Sequence, residues 1–194
     1  MKYGVVKDYV LNLEIVLPGG EIIWTGANVL KNATGYNLTQ LIVGSEGTLA
    51  IVTKITLKLI PLPRHELLIL VPFDSAEKAC ASVNAIFRAG YRPSAIEFME
   101  RDAILCTSDF VYGPEIKIAD EVQAHLLIEV DGNDTDVLMK EIEGISAVVS
   151  GYDCGQILFA EDEKQKETLW KLRRTVGEAV RHASVYKEQD TVVP

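Results

Sequence analysis

The chain has 194 residues, 48% of them hydrophobic and 24% charged, a balance expected of a water-exposed globular protein with room for one large domain or two small ones. A net charge of -9 with no basic stripe excludes a nucleic-acid backbone as partner, and no apolar run reaches the ~18 residues that a membrane helix needs. The segment from Met1 to Asp8 lacks the apolar centre of a secretion signal, and Cys80, Cys106 and Cys154 lie far apart without a Cys-x-x-Cys pair. They read as free thiols in a reducing cytoplasm. His65, His125 and His182 are equally scattered, with no helical pair at three or four residues, so the sequence supplies no metal site of its own.

The first predicted element is a strand over Val10 to Leu17, followed by a turn at Pro18-Gly-Gly-Glu21 and a short second strand, Glu21 to Gly26. Asn28 to Thr34 is polar without a period and reads as loop. Leu38, Leu41, Ile42 and Val43 are spaced like one helical turn that buries one side. Gly44-Ser-Glu-Gly47 is a tight loop with glycine at both ends, and Ile51 to Leu59 is predicted as a half-exposed strand with Ile51, Thr53, Ile55, Leu57 and Leu59 on one face. On spacing alone an ordinary helix-to-strand connection is the leading reading of this stretch, and one wall of a cofactor site the other. Ile60-Pro-Leu-Pro-Arg64 then marks a boundary, because two prolines in three residues stop a strand and stiffen a linker.

Beyond the linker strands and helices alternate. The predicted series is a strand over His65 to Phe73, a helix capped at Asp74-Ser75 and closed by Ala89-Gly90, and a strand over Pro93 to Met99. A helix over Arg101 to Cys106 follows, then loop to Ala119. A strand over His125 to Val130, a turn at Asp131-Gly-Asn-Asp134, a helix over Thr135 to Gly144 and a strand over Tyr152 to Ala160 come next. The longest helix, Glu161 to His182, precedes a last strand over Val185 to Pro194. Two strand-helix-strand units in succession predict a ferredoxin-like α+β sandwich with additions.

Gly35-Tyr36-Asn37-Leu38-Thr39 followed by Val43-Gly-Ser-Glu-Gly-Thr-Leu49 resembles the FAD-linked oxidases of the vanillyl-alcohol-oxidase (PCMH) type. The likeness is greatest to the branch holding the glycolate oxidase D subunit, D-lactate dehydrogenases and D-2-hydroxyglutarate dehydrogenases. Lys2-Tyr3-Gly4, Val16-Leu-Pro-Gly-Gly-Glu21, Glu97-Phe-Met-Glu-Arg101, Leu127-Ile-Glu-Val-Asp-Gly132, Leu169-Trp-Lys-Leu-Arg-Arg174 and Asp190-Thr-Val-Val-Pro194 support it. The resemblance implies residues 1–62 as the C-terminal part of a PCMH-type FAD-binding domain and 65–194 as a ferredoxin-like substrate (cap) domain, both incomplete. The family's glycine-rich pyrophosphate loop, its His-x-x-x-x-x-x-His metal pair and its His-Gly-Asp/Glu-Gly-Asn stretch are not in these residues. The expectation is therefore an internal piece of a longer protein, inactive and without retained FAD by itself. Any divalent metal would depend on the missing segment.

The resemblance further implies that Glu46, Gly47, Thr48, Leu49, Ala50 and Ile51 line FAD, with Lys2, Tyr3 and Gly4 as a flavin-side loop. Small residues let the backbone approach a cofactor, whereas Glu46 is a poor neighbour for a pyrophosphate and is expected to hold the loop or meet a sugar hydroxyl. Ala50 stands where the family usually has glycine. Arg173 is implied as the receptor of the carboxylate of a 2-hydroxy acid, a task that suits the guanidinium fork, with Lys187 as a second carboxylate-binding residue. Gly177 stands where the hydroxyglutarate branch has threonine, which turns the expected substrate toward glycolate or D-lactate. Without the family, Arg173 reads as a solvated helix charge beside Arg174 and Arg181. Trp170 and Leu172 read as core, and Glu97 and Glu100-Arg101 as strand-end charges in a segment the family places near its active cavity. The competing function class is a non-catalytic ferredoxin-like binding or assembly module. Implied partners are the small acid, further subunits of an oxidase complex and, because residues 1 to 60 would leave apolar surface bare, a second copy of the chain.

Overall fold

The computed structural model describes residues 2–112 and 118–189. The chain forms two compact units, one of residues 3–62 and the other of Lys2 together with the residues from Pro63 onward.

The smaller unit is a three-stranded antiparallel sheet. β1 (Val10–Val16) lies between β2 (Ile22–Trp24) and β3 (Ile51–Leu57), in the order β2-β1-β3. The turn between β1 and β2 places Gly20 at a φ of 90°, open to glycine and strained for other residues. α1 (Leu38–Ile42) is capped by Asn37, whose Oδ1 accepts from the Gln40 amide at 3.0 Å. Ile42 packs with Leu13, Ile15 and Ala50 in a small core. The expected one-sided burial of β3 is not realised. Ile51, Ile55 and Leu57 remain 67%, 58% and 49% exposed, because four buried side chains and one short helix cannot cover the strand.

The larger unit has the expected ferredoxin-like plan. β4 (His65–Phe73), α2 (Ala76–Arg88) and β5 (Ala95–Glu100) form the first half; β6 (Ala124–Gly132), α4 (Thr135–Ser150) and β7 (Leu158–Phe159) form the second. The strand order is β5-β6-β4-β7 with every pair antiparallel. α3 (Arg101–Tyr112) sits between the halves and α5 (Glu163–Ala183) follows them. Alternation along the strands sends Ile69, Val71, Phe73, Leu126 and Ile128 toward α2 and α4, and Leu68, Leu70, Met99 and Leu127 toward α3 and α5. Each fully buried Leu, Ile or Phe contributes about 1.5–3 kcal/mol, so these two layers account for most of the unit's stability.

Four local expectations need correction. α3 continues to Tyr112 rather than ending at Cys106, because Ile104, Thr107 and Ser108 form a buried stripe that the polar run Thr107-Ser-Asp109 disguises. α4 runs through Gly144 to Ser150, where Ile145 and Val149 complete its buried face. The strand over Tyr152 to Ala160 shrinks to Leu158–Phe159 and an isolated bridge from Cys154 to Phe73, since Asp153 turns at a φ of 54° and the Gly155 amide donates to the Pro72 carbonyl. Residues 185–189 form no strand, and residues 190–194 lie outside the described residues. The residues 185–189 are held instead near the C-terminal end of α5, with the Arg181 guanidinium 5.2 Å from the ring centre of Tyr186.

Candidate functional site

The glycine loop that follows α1 holds itself through its own backbone. The Ser45 amide donates to the Ile42 carbonyl at 3.0 Å, and both the amide and the hydroxyl of Thr48 donate to the Ser45 carbonyl, at 2.9 and 2.6 Å. Gly44, Glu46 and Gly47 all have positive φ, at 88°, 50° and 77°. A Cβ on Gly44 or Gly47 would meet nothing within 4 Å, so the outer side of the loop is open space bordered by backbone. Glu46, Gly47, Thr48, Leu49 and Ile51 are exposed around it. Ala50 points the other way and is buried with Leu13, Ile15 and Ile42, so its methyl group faces the core and leaves the open side clear.

The same unit holds a polar cavity of about 180 Å³ that the sequence does not signal, lined among others by Thr25, Gly26, Asn32, Gly35, Asn37 and Thr39. Thr25, Gly26 and Thr39 of this lining join a buried network. Asn12 Oδ1 accepts from the amides of Leu13 and Gly26, its Nδ2 donates to Asn28, and the hydroxyls of Thr25 and Thr39 lie 2.8 Å apart. Asn12 lies at a register shift in β1 and Thr25 just after β2, and no spacing rule marks either.

In the larger unit, one end of the sheet face beneath α5 is polar. Glu129 on β6 and Glu97 on β5 sit on this face as diagonal neighbours, since Glu97 pairs with Leu127 and Ala95 with Glu129. α5 lays a stripe of polar groups over them. Trp170 Nε1 donates to Glu129 Oε2 at 2.9 Å, and Arg173 donates to Glu97 Oε2 from both Nε and Nη2 at 2.7 Å. Lys166 donates to the Glu66 carbonyl at 2.9 Å, and Ser94 Oγ donates to Glu129 Oε1 at 2.9 Å. Burial pushes the Glu129 carboxyl up, against the hydrogen bonds from Ser94 and Trp170. The α5 spacing Lys166, Trp170, Arg173 puts these groups on one side of the helix.

The structure separates the residues singled out from sequence. Arg173 lies on α5, half-exposed and already engaged by Glu97. Lys187 is exposed in the segment after α5, where Tyr186 brings its hydroxyl against Gly177, one helical turn beyond Arg173. Lys2 groups with the larger unit, pairing with Asp131 on β6. Tyr3 and Gly4 belong to the smaller one, with the Tyr3 carbonyl accepting from the Tyr9 hydroxyl. The division between the two units falls between Lys2 and Tyr3. Glu97 and Glu129 stand in two of the stretches that carry the resemblance, but Ser94 stands in none and no spacing relates the three.

Residues 62–194 match the family of FAD linked oxidases, C-terminal domain. The chain belongs to this family. Across its whole length it is 38% identical to a D-lactate dehydrogenase of Anaerostipes hadrus, of which it covers 42%. It is 36% identical to the glycolate oxidase subunit GlcD of Bacillus subtilis over 93% of its own length and 37% of that protein. The chain thus spans about two fifths of these relatives. The fold is shared with alkyldihydroxyacetonephosphate synthase, at a TM-score of 0.64 and 20% identity over 90% of the chain and 32% of that protein. It is shared too with p-cresol methylhydroxylase, at 0.61 and 15% identity over 85% of the chain and 37% of that protein.

For an FAD-linked oxidase the open glycine loop suits one wall of a cofactor site. Its backbone is approachable, its one methyl group turns inward, and the Thr48 hydroxyl, committed as donor to Ser45, keeps its lone pairs for an incoming donor. A metal does not fit the residues at hand. Among the described residues no group of three or more His, Cys, Asp or Glu side chains could hold one. Nor is any described helix long and apolar enough to cross a membrane.

Proposed function

We propose that the chain supplies one wall of the FAD site and part of the substrate site of an oxidoreductase acting on a small 2-hydroxy acid of the D-lactate or glycolate type. The observation that carries this reading is the Arg173 guanidinium. In a chain of this family, it presents Nε and Nη2 together to a carboxylate oxygen, the geometry that recognises the acid group of such a substrate. Arg173 holds the carboxylate by this edge, Lys187 adds a second positive charge from the segment beyond α5, and Trp170 offers an apolar side beside them. The loop from Glu46 to Ile51 meets the cofactor with backbone and small side chains, and Tyr3 and Gly4 of the same unit serve on the flavin side. Bound flavin supplies the acceptor for the hydride that leaves the hydroxyl-bearing carbon. The residues described here bind and orient; they contribute no base for the hydroxyl proton, and no metal step is assigned to them.

Residues 1–62 serve as the C-terminal part of the FAD-binding domain and 65–194 as the substrate domain. The free thiols of Cys80, Cys106 and Cys154 favour a reducing compartment, the cytoplasm. By itself the chain retains no FAD and turns over no substrate, because it brings one wall of the cradle. The test is flavin content. The 194-residue chain purifies colourless, whereas a chimera in which it replaces the matching 42% of the Anaerostipes hadrus D-lactate dehydrogenase purifies yellow with stoichiometric FAD. A folded but colourless chimera would leave the non-catalytic module as the better reading, and tight flavin in the chain alone would contradict the incomplete cradle.

A further inference from the structure

We propose that Glu97 is a built-in competitor for the substrate carboxylate at Arg173, so that an acid binding to the Nε–Nη2 edge of the guanidinium displaces Glu97 from it. This rests on the reading of Arg173 as the carboxylate receptor and adds to it a residue that sets affinity. Glu97 Oε2 takes both Nε and Nη2, which is the whole of one edge of the fork. A substrate carboxylate bound side-on to that edge would need the position that Oε2 occupies, and two carboxylates cannot share it. The two side chains are 38% and 29% exposed, so water and a small anion can reach the pair from solvent and exchange with it. Glu97 is also held in place by its surroundings. It sits on an edge strand with its carboxylate paired to the guanidinium through two short N–H···O contacts. Release of Glu97 from Arg173 therefore has a cost, and the apparent affinity for the acid is lowered by it.

The test titrates the nitrogen-15-labelled 194-residue chain with sodium D-lactate at constant ionic strength, read from the Arg173 Nε–H and Trp170 indole resonances. Removing the competing charge in Glu97→Gln tightens D-lactate binding about threefold to fivefold, the range expected when a part-exposed ion pair no longer has to be broken. Glu97→Asp, too short by one methylene to keep its grip on the same edge, tightens it as well and guards against a folding defect peculiar to the amide. Arg173→Lys abolishes the saturable shift. If both Glu97 variants bind D-lactate no better than the parent while Arg173→Lys loses it, Glu97 orients the arginine rather than competing with the substrate; the proposal then falls and the receptor reading stands. If Arg173→Lys binds like the parent, the receptor reading falls and takes the proposal with it. Absence of saturable binding in the parent and in both Glu97 variants also overturns the proposal.

Discussion

At the scale of single residues, the most informative group outside the site is His125. It is buried on β6, its Nδ1 has no hydrogen-bond partner among the described residues, and burial, with the nearby Arg101 charge, lowers its pKa from 6.5 to about 4. The unfolded chain therefore binds a proton through this group below about pH 6.5 while the folded chain resists until about pH 4, and stability falls with pH across that window. The difference corresponds to about 3 kcal/mol at most. Urea denaturation of the parent and of His125→Leu at a series of pH values checks this: the parent loses about 2–3 kcal/mol more than the variant between the two ends of the window. Equal losses would contradict it. Glu129 runs in the opposite sense. Its raised carboxyl favours the folded state below the ordinary glutamate range and loses that contribution as pH climbs through the folded-state pKa. Glu129→Gln should thus be at least as stable as the parent at mildly alkaline pH, with the Trp170 hydrogen bond kept by the amide oxygen. Thermal unfolding of the pair decides the point. Arg173 and Glu97 each stand in a stretch that carries the family resemblance, yet nothing in the sequence pairs them. Pairings between strand and distant helix leave no spacing in a sequence.

At the scale of elements, helices and strands with clean periods were legible to within a residue or two. β4 carries an unbroken apolar run, and α2 and α5 begin at residues that cap them, Ser75 and Asp162, each accepting an amide three residues on. The misreadings share a cause: a local signal was overruled by a tertiary neighbour. Gly144 looked like a helix end, yet it lies inside α4 because the Tyr91 hydroxyl fills the place where a Cβ would stand. Its glycine is there for packing. Gly144→Ala is accordingly expected to destabilise the chain by about 1–3 kcal/mol although alanine is the better helix former. Adding Tyr91→Ala, which removes the hydroxyl and the ring carbons that meet the new Cβ, relieves part of the clash. A double-mutant cycle in urea measures the coupling; a Gly144→Ala variant more stable than the parent would contradict the packing account.

At the scale of the molecule, the larger unit has two well-filled layers and the smaller one does not. Ile22, Trp24, Leu41, Ile51, Ile55, Leu57 and Leu59 are all exposed in the smaller unit, more bare apolar surface than a small unit keeps in isolation. The expected outcome for the chain alone is that a second copy covers it. Light scattering should return a mass of at least twice that of the chain, and substituting Ile51 and Ile55 with lysine should shift it toward the monomer. A monomeric parent would count against this. The composition and linker made the plan of the chain legible, and the motifs made its family legible. The measurement that bears most directly on the account is anaerobic bleaching of the flavin in the D-lactate dehydrogenase chimera by D-lactate and by glycolate. With the natural Arg173 one of these acids bleaches the flavin, and with Arg173→Lys the flavin stays bound but bleaching slows by at least about tenfold, the loss expected on giving up a bidentate carboxylate contact. Flavin that neither acid bleaches, or equal rates with arginine and lysine, would contradict it.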